Sequence, residues 1–204
     1  MVREVRIYIE GGGDANSKAR LRQGFHQFLA ELVNMARSRR IRWNLVACGG
    51  RNAAFDNFVT ALRTHQDALN ILLVDSEGPV SSGPRDHLSQ RDGWNLNNVS
   101  DDQCHLMVQM MESWLIADTE ALKMFYGQGF NANAIPRHAN VEQIAKAQVE
   151  SALEAATRTT QAGNYHKIRH GPQILGLVDV ERVRRAATHC ERLFATVMSR
   201  MNAP

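Results

Sequence analysis

Short apolar runs alternate with longer amphipathic segments along the first 75 residues of the chain. Three of these runs, Val5–Ile9, Trp43–Cys48 and Leu69–Val74, predict β-strands. The third run is apolar apart from Asn70, which is typical of a central parallel strand covered on both faces. Because the runs are separated by segments with helical periodicity, the pattern predicts βαβ units and an α/β fold with a parallel sheet.

The amphipathic segments indicate where the helices lie. Apolar residues at helical spacing predict one helix over residues 17–39 and another over residues 53–64. Further along, residues 105–111 predict a fourth strand, and residues 113–126 predict one or two helices.

Two parts of the chain depart from this alternation. Residues 78–102 are rich in Gly, Pro, Ser and Asn, and a connection of this length is typical of a functional or mobile loop. The final third is predicted to be helical, interrupted by the irregular basic segment Tyr165–Pro172. We therefore expect one domain overall, with an α/β core at residues 1–130 and a helical extension packed on it at residues 131–204.

Composition and charge narrow the class of protein. Hydrophobic residues make up 44% of the 204 residues and charged residues 22%, as in globular proteins. The net charge is +3, and the first 63 residues carry eleven Lys/Arg against five Asp/Glu, which suits phosphate contacts and solvated helix faces equally. The charged N-terminus, the scattered cysteines and the absence of an apolar stretch near 18 residues favour a cytoplasmic protein without a membrane span.

Acidic residues follow three of the predicted strands. Glu10 follows the first strand and Glu112 follows the fourth. Asp75 and Glu77 follow the third, and in an extended chain they would point to the same side. Because parallel strands end at one edge of a sheet, we expect these carboxylates to converge, where they would suit Mg²⁺ or Mn²⁺. For each acid alone, capping a helix or facing water is the alternative.

The glycine run Gly11–Gly13 follows the first strand without completing a nucleotide-binding motif. The third glycine of the dinucleotide fingerprint is missing, and Ser17 and Ala19 occupy the positions at which a P-loop carries a glycine and the magnesium-binding hydroxyl. We expect the glycines to turn the backbone sharply away from Glu10 and keep the approach to it open.

Five segments of the chain resemble a known superfamily. Ile7–Asp14 and Leu72–Glu77 resemble the Toprim domain of topoisomerases, primases and overcoming-lysogenization-defect nucleases. Through Cys48–Arg51, Gln109–Asp118 and Tyr165–Lys167, the chain resembles more closely a bacterial family of unknown function made of small stand-alone Toprim-like proteins. The resemblance implies a Toprim-like, Rossmann-like parallel sheet flanked by helices, with a magnesium site at the strand ends.

By position, the resemblance implies roles for the acidic residues. Asp75 and Glu77 would ligate Mg²⁺, although the wider Toprim pattern has aspartate at the position of Glu77. Glu10 would be a further ligand or the general acid/base, and Glu112 would support a second metal ion.

The resemblance also implies contacts to a phosphate. Lys167 would act in catalysis by offsetting negative charge that develops on the phosphate. Arg51, together with Gly11 and Gly12, would bind a substrate phosphate or nucleic acid.

The function that follows from the resemblance is a magnesium-dependent nuclease that acts on DNA or RNA with water as the nucleophile. Relatives are often encoded beside an ATPase, which implies the effector half of an ATPase-linked anti-phage system. One alternative is a catalytically degenerate Toprim module that binds or regulates an ATPase or a nucleic acid. Another is a small-molecule phosphohydrolase or nucleotide-binding enzyme that uses the same acids.

Four conspicuous residues have plainer interpretations. Asp118 precedes a helical pattern and is expected to cap it, and Trp114 is expected in the core. His166 and His170 have the spacing of a zinc pair on a helix, but they flank basic residues and precede a Gly-Pro step, so we expect no metal there.

Overall fold

The apolar runs form the strands of one parallel sheet. The computed structural model describes residues 2–203, in which β1 spans Glu4–Glu10, β2 Arg42–Gly49, β3 Ala68–Asp75 and β4 Cys104–Met107. The strand order is β2-β1-β3-β4, and each neighbouring pair is parallel. The predicted α/β class and parallel sheet are confirmed.

Helices surround this sheet and make up much of the second half of the chain. They are α1 Ala15–Phe28, α2 Ala30–Ser38, α3 Arg51–Thr64, α4 Pro84–Asp92, α5 Met111–Ile116, α6 Thr119–Tyr126, α7 Lys146–Thr157, α8 Gly171–Leu175, α9 Val180–Ala186 and α10 Thr188–Asn202. Short 3₁₀ turns lie at Asp101–Gln103, Ala132–Ala134 and Val141–Gln143. None of the helices in residues 2–203 has the length and apolar character needed to cross a bilayer.

The long helix predicted over residues 17–39 is wrong as a continuous element. The structure has two helices that meet at the buried Leu29, whose ψ of 19° departs from helical geometry. Helix α1 packs against α8 whereas α2 packs against α10, so the break lets each helix face its own neighbour.

The prediction of an irregular loop over residues 78–102 is wrong in part, because this segment contains α4. Pro84 occupies the first turn of α4, where its missing N–H costs nothing. Gly93 ends the helix with a left-handed φ of 68°, a conformation that glycine adopts without steric cost.

The predicted fourth strand is too long. It ends at Met107, and Met111 begins α5. Glu112 therefore lies in the first turn of a helix, where a carboxylate suits the positive end of the helix dipole, and does not close the strand.

The core lies on both faces of the sheet. Ile7 and Ile9 of β1 belong to the larger apolar cluster, whereas Tyr8 points to the opposite face and packs edge-on against Phe58 of α3. The larger cluster joins residues from both ends of the chain. Trp114 is fully buried, as predicted, and stacks on Phe28 of α1.

Candidate functional site at the carboxyl ends of the strands

The loops that follow β1 and β2 are held together by two glycines. Gly11 and Gly49 exchange backbone hydrogen bonds, with N–O distances of 2.7 and 2.9 Å. Their φ angles of 125° and 91° lie in the region that favours glycine. The two loops therefore lie side by side at the carboxyl edge of the sheet and expose their backbone there.

A cavity of about 330 Å³ opens between these loops and the segment that precedes α8. Glu10, Asp75 and Lys167 are the charged residues of its lining, and they are called here its charged end. The structure therefore brings together at one cavity a strand-end acid of β1, a strand-end acid of β3 and the late lysine. Three larger depressions, of about 490, 530 and 700 Å³, lie elsewhere on the surface and contain none of the predicted acids.

Asp75 is the buried carboxylate of the site, with 4% of its surface exposed. It accepts hydrogen bonds from the Met111 backbone N–H at 2.8 Å and from Lys167 Nζ at 3.2 Å. Burial raises the pKa of Asp75 to about 7, against the effect of Lys167, and the nearby Glu112 and Glu10 carboxylates raise it further. A carboxyl group that titrates near neutrality is typical of functional sites.

Glu112 lies beside Asp75 and is also buried. Its Oε1 accepts a hydrogen bond of 2.7 Å from the Tyr165 hydroxyl. Its Oε2 has no hydrogen-bond partner in the part of the chain that the structure describes, and lies 3.5 Å from Lys167 Nζ. Lys167 therefore bridges Asp75 and Glu112.

Lys167 is half exposed although it bridges two buried acids. Burial lowers its pKa, but the Asp75 and Glu112 carboxylates outweigh that effect and raise the pKa above its ordinary value. The lysine is thus a fully charged counter-ion on an irregular segment.

Arg51 connects three elements at the edge of the site. Its guanidinium donates to both oxygens of Asp92 at the end of α4, to Glu10 Oε2 at 3.0 Å and to the Asp75 carbonyl at 2.6 Å. It also lies 5.2 Å from the ring centroid of Trp94. Acceptors of the protein itself therefore bind this guanidinium, and Arg51 positions Glu10 and α4.

Glu77 lies outside the strand and apart from the cavity lining. Its φ of 62° is left-handed, and its carboxylate pairs with Lys146 at the start of α7. Burial raises the pKa of Glu77, but the Lys146 ammonium outweighs that effect and lowers the pKa below its ordinary value. The expectation that Asp75 and Glu77 share one side of an extended chain is wrong, because β3 ends at Asp75.

The donor chemistry of the site suits a divalent cation once Lys167 moves. Residues 2–203 contain no group of three or more His, Cys, Asp or Glu side chains already arranged around a metal position. Glu10, Asp75 and Glu112 are hard oxygen donors, and one buried Glu112 oxygen lacks a hydrogen bond. Lys167 occupies the space between Asp75 and Glu112, and its half-exposed side chain can leave towards solvent.

The neighbouring residues make structural contacts within the fold. Asp118 caps α6 by accepting the Ala121 N–H at 3.4 Å. His170 is bound through Nδ1 to the Tyr126 hydroxyl at 2.9 Å, as a packed polar group.

Sequence reasoning missed the side chains that engage the acids from distant parts of the chain. Lys146 and Asp92 carried no signal of their own, because each acts only through a partner brought close by folding. Tyr165, which binds Glu112, lies in the segment Tyr165–Lys167. The family resemblance of that segment was the only signal in the sequence that pointed to Tyr165.

Comparisons with known proteins place the chain in a family. A family model described as "Domain of unknown function (DUF4276)" matches residues 9–198, and the chain belongs to this family. The matched region contains every acid of the site and Lys167. Neither the curated proteins nor the solved structures contain a significant match.

Proposed function

We propose that this family member is a magnesium-dependent nuclease of the Toprim-like kind. The observation that carries the proposal is the convergence of Glu10, Asp75 and Lys167 on one glycine-lined cavity, with Glu112 directly behind. Neighbouring buried carboxylates repel one another, so this arrangement costs folding free energy. Acids held at such a cost are typical of functional sites.

Asp75 and Glu112 would hold the metal ion, with Glu10 facing it across the cavity. A bound Mg²⁺ would offset the charge of the carboxylates and polarise a phosphoryl oxygen. Lys167, released from Asp75, would remain beside the cavity and pair with the phosphate. The exposed backbone of the two glycine loops would let the phosphate approach closely.

Glu10 is the candidate for proton transfer. It lies at the end of β1, partly exposed at the cavity, and Arg51 holds one of its two oxygens. The second oxygen faces no hydrogen-bond donor within the described range 2–203, so it is able to accept a proton from a water molecule.

A second candidate function is a non-catalytic Toprim-like module that binds an ATPase or a nucleic acid. The observation that favours it is that three acids already have cationic partners, in the pairs Glu10–Arg51, Asp75–Lys167 and Glu77–Lys146. An ATPase partner and a role in anti-phage defence belong to both proposals as implications of the Toprim-like resemblance.

The experiment is cleavage of plasmid DNA, single-stranded DNA and tRNA in Mg²⁺, Mn²⁺ or EDTA. Wild-type protein is compared with Asp75→Asn and Glu10→Gln, and with Asp86→Asn, an exposed acid on α4, as the matched control. Cleavage that needs metal, disappears in the first two variants and survives in the control supports the nuclease.

Two other outcomes reassign the function. Metal-dependent hydrolysis of mononucleotides without cleavage of any polymer would indicate a small-molecule phosphohydrolase. No hydrolysis, combined with no heat of Mg²⁺ binding by calorimetry, would contradict the enzyme and leave the binding module.

A further inference from the structure

The cavity at the candidate site is lined by two chemically different sets of residues. Its charged end is formed by Glu10, Asp75 and Lys167, and the glycine loops add backbone groups. Five other lining residues have aliphatic or thioether side chains and are called here the apolar half of the lining: Leu21, Met107, Met111, Ile168 and Pro172. A substrate that fills the whole cavity therefore has a charged part and an apolar part.

The apolar half does not suit a sugar-phosphate backbone alone. Sugars and phosphates are polar, and they would leave this wall in contact with trapped water. A nucleobase has two apolar faces and fits a small cavity, and a volume of about 330 Å³ is at the lower end of the range for small-molecule sites. The base of a nucleotide whose phosphate lies at the charged end would fill the apolar half.

The apolar half is held in place by the fold. A Cβ at Gly11 would lie 2.9 Å from Leu21 Cδ2, so glycine at this position leaves room for Leu21 at the cavity wall. On the other side, Gly24 of α1 lets Pro172 approach closely, since a Cβ there would lie 2.2 Å from the Pro172 carbonyl oxygen. These two close approaches fix Leu21 and Pro172 at the cavity wall.

Ile168 lies at the opening of this cavity with 47% of its surface exposed, an unusual position for a large aliphatic side chain. Its neighbour in sequence is Lys167, which contacts the acids. The two residues thus offer an apolar side chain and a cation to adjacent parts of one ligand.

We propose that the apolar half of the cavity binds the base of one unpaired nucleotide, so that the substrate class of the site is single-stranded nucleic acid or a frayed strand end. A base inside a duplex is stacked and paired, and it reaches such a pocket only when it is extruded. The inference rests on the proposed function for the phosphate at the charged end.

Binding, measured separately from cleavage, tests this proposal. Fluorescence anisotropy with the catalytically blocked Glu10→Gln protein in Mg²⁺ compares a labelled ten-nucleotide single strand, the same strand with abasic sites, and a duplex. We expect the normal single strand to bind about tenfold more tightly than either of the other two probes.

The contribution of the apolar half is tested in the same background. Adding Ile168→Ser should weaken single-strand binding by about fivefold to tenfold, since it removes an apolar contact of roughly 1 kcal/mol or more. It should leave binding of the abasic strand unchanged. The matched control is Met124→Ser, which removes another exposed large apolar side chain, on α6.

Three results would overturn the proposal: equal affinity for normal and abasic strands, a duplex bound as tightly as the single strand, or no binding of any probe. The outcome is separable from that of the proposed function. If the protein cleaves nucleic acid but binds normal and abasic strands equally, the base pocket is contradicted and the nuclease is supported. If the wild-type protein binds normal strands more tightly than abasic ones but cleaves neither, the base pocket is supported and the nuclease is contradicted.

Discussion

At the scale of single residues, Asp75 shows how burial changes the titration of a carboxyl group. Its pKa of about 7 in the folded chain is higher than the value near 4 expected in an unfolded chain. The folded state therefore binds the proton more tightly, and raising the pH from about 4 to about 7 costs folding free energy. Above pH 7 the full cost is present.

Replacing Asp75 by asparagine should remove this cost while abolishing activity. The amide oxygen can still accept the Met111 N–H, but no charge remains to be buried. In EDTA at pH 8 we expect a gain in unfolding free energy of roughly 1–2 kcal/mol, because one pKa unit corresponds to about 1.4 kcal/mol and loss of the Lys167 pair offsets part of the gain.

Urea denaturation at pH 8 and pH 4 measures this effect, and the gain should shrink towards pH 4. The control Asp86→Asn removes an exposed carboxylate and should change stability by less than about 0.5 kcal/mol. If Asp75→Asn melted the protein instead, Asp75 would be a structural residue and the site assignment would be wrong.

His105, in β4, gives the opposite pH dependence. Burial, aided by the neighbouring Arg192 guanidinium, lowers the pKa of His105 to about 3. Below about pH 6.5 the histidine is protonated in the unfolded chain but stays neutral in the folded chain. The free energy of unfolding therefore decreases as the pH falls below that value.

The variant His105→Gln should remove this loss. Between pH 7 and pH 5 we expect the wild type to lose about 2 kcal/mol of unfolding free energy relative to the variant. Chemical denaturation at the two pH values measures the difference. His26→Gln, on the exposed face of α1, is the control and should follow the wild type, whereas parallel curves for wild type and His105→Gln would contradict the prediction.

At the scale of elements, the contact between α1 and α8 positions the segment that carries Lys167. Gly24→Ala in the middle of α1 would ordinarily stabilise a helix by about 1 kcal/mol. Here the new Cβ would lie 2.2 Å from the Pro172 carbonyl oxygen, so α8 must shift. Because overpacking costs about 1–3 kcal/mol and outweighs that gain, we expect a net loss of up to about 2 kcal/mol in the free energy of unfolding, measured by denaturation.

The control for this prediction is Gly13→Ala, at a glycine where an added Cβ would meet no other heavy atom of residues 2–203 within 4 Å. It should be nearly neutral in stability. A stabilised Gly24→Ala protein would show that α1 and α8 are less closely packed than the structure describes.

Arg51 joins α3 to α4 through its two hydrogen bonds with Asp92. Arg51→Lys keeps the charge but loses the planar fork, so we expect α4 to open more readily, by about 1.5–3 kcal/mol. Hydrogen exchange of the α4 amides measures this opening. Arg63→Lys at the exposed end of the same helix is the control, and unchanged exchange in Arg51→Lys would contradict the role of Arg51 as a connector.

At the scale of the whole molecule, the sheet was predictable because its signal is local. Apolar runs at the first three strands located those elements to within two residues. The break at Leu29 carried no proline or glycine, because it arises from packing against different neighbours. Helix α4 is mostly polar, and its only signals were Pro84 and Gly93 at its ends.

The acids of the site were predictable for the same reason, and their partners were not. Glu10 and Asp75 follow directly from where strands end. Lys146 pairs with an acid 69 residues earlier, and Lys167 pairs with one 92 residues earlier, so both contacts depend on how the helices of the second half pack on the sheet. Sequence periodicity contains no information about that packing.

The two halves of the chain share one apolar cluster, and their separation is the last prediction. Phe28 of α1 stacks on Trp114 at 5.2 Å between ring centroids and meets Phe194 of α10 edge-on at 5.9 Å. Removing residues 131–204 would expose this cluster. It would also remove Lys146 and Lys167, which pair with Glu77 and Asp75. We therefore expect a fragment of residues 1–130 to lack a cooperative transition in urea.

The full chain should instead unfold in one step, with coincident tryptophan fluorescence and far-UV circular dichroism. Phe194→Ala is the matched test within the full chain, since it should lower the unfolding free energy by about 3–5 kcal/mol while the transition stays single. If residues 1–130 and 131–204 share one core, neither part can unfold independently of the other. A fragment of residues 1–130 that unfolds cooperatively would contradict this, because it would mean that the sheet is stable alone and that the helical half is only docked on it.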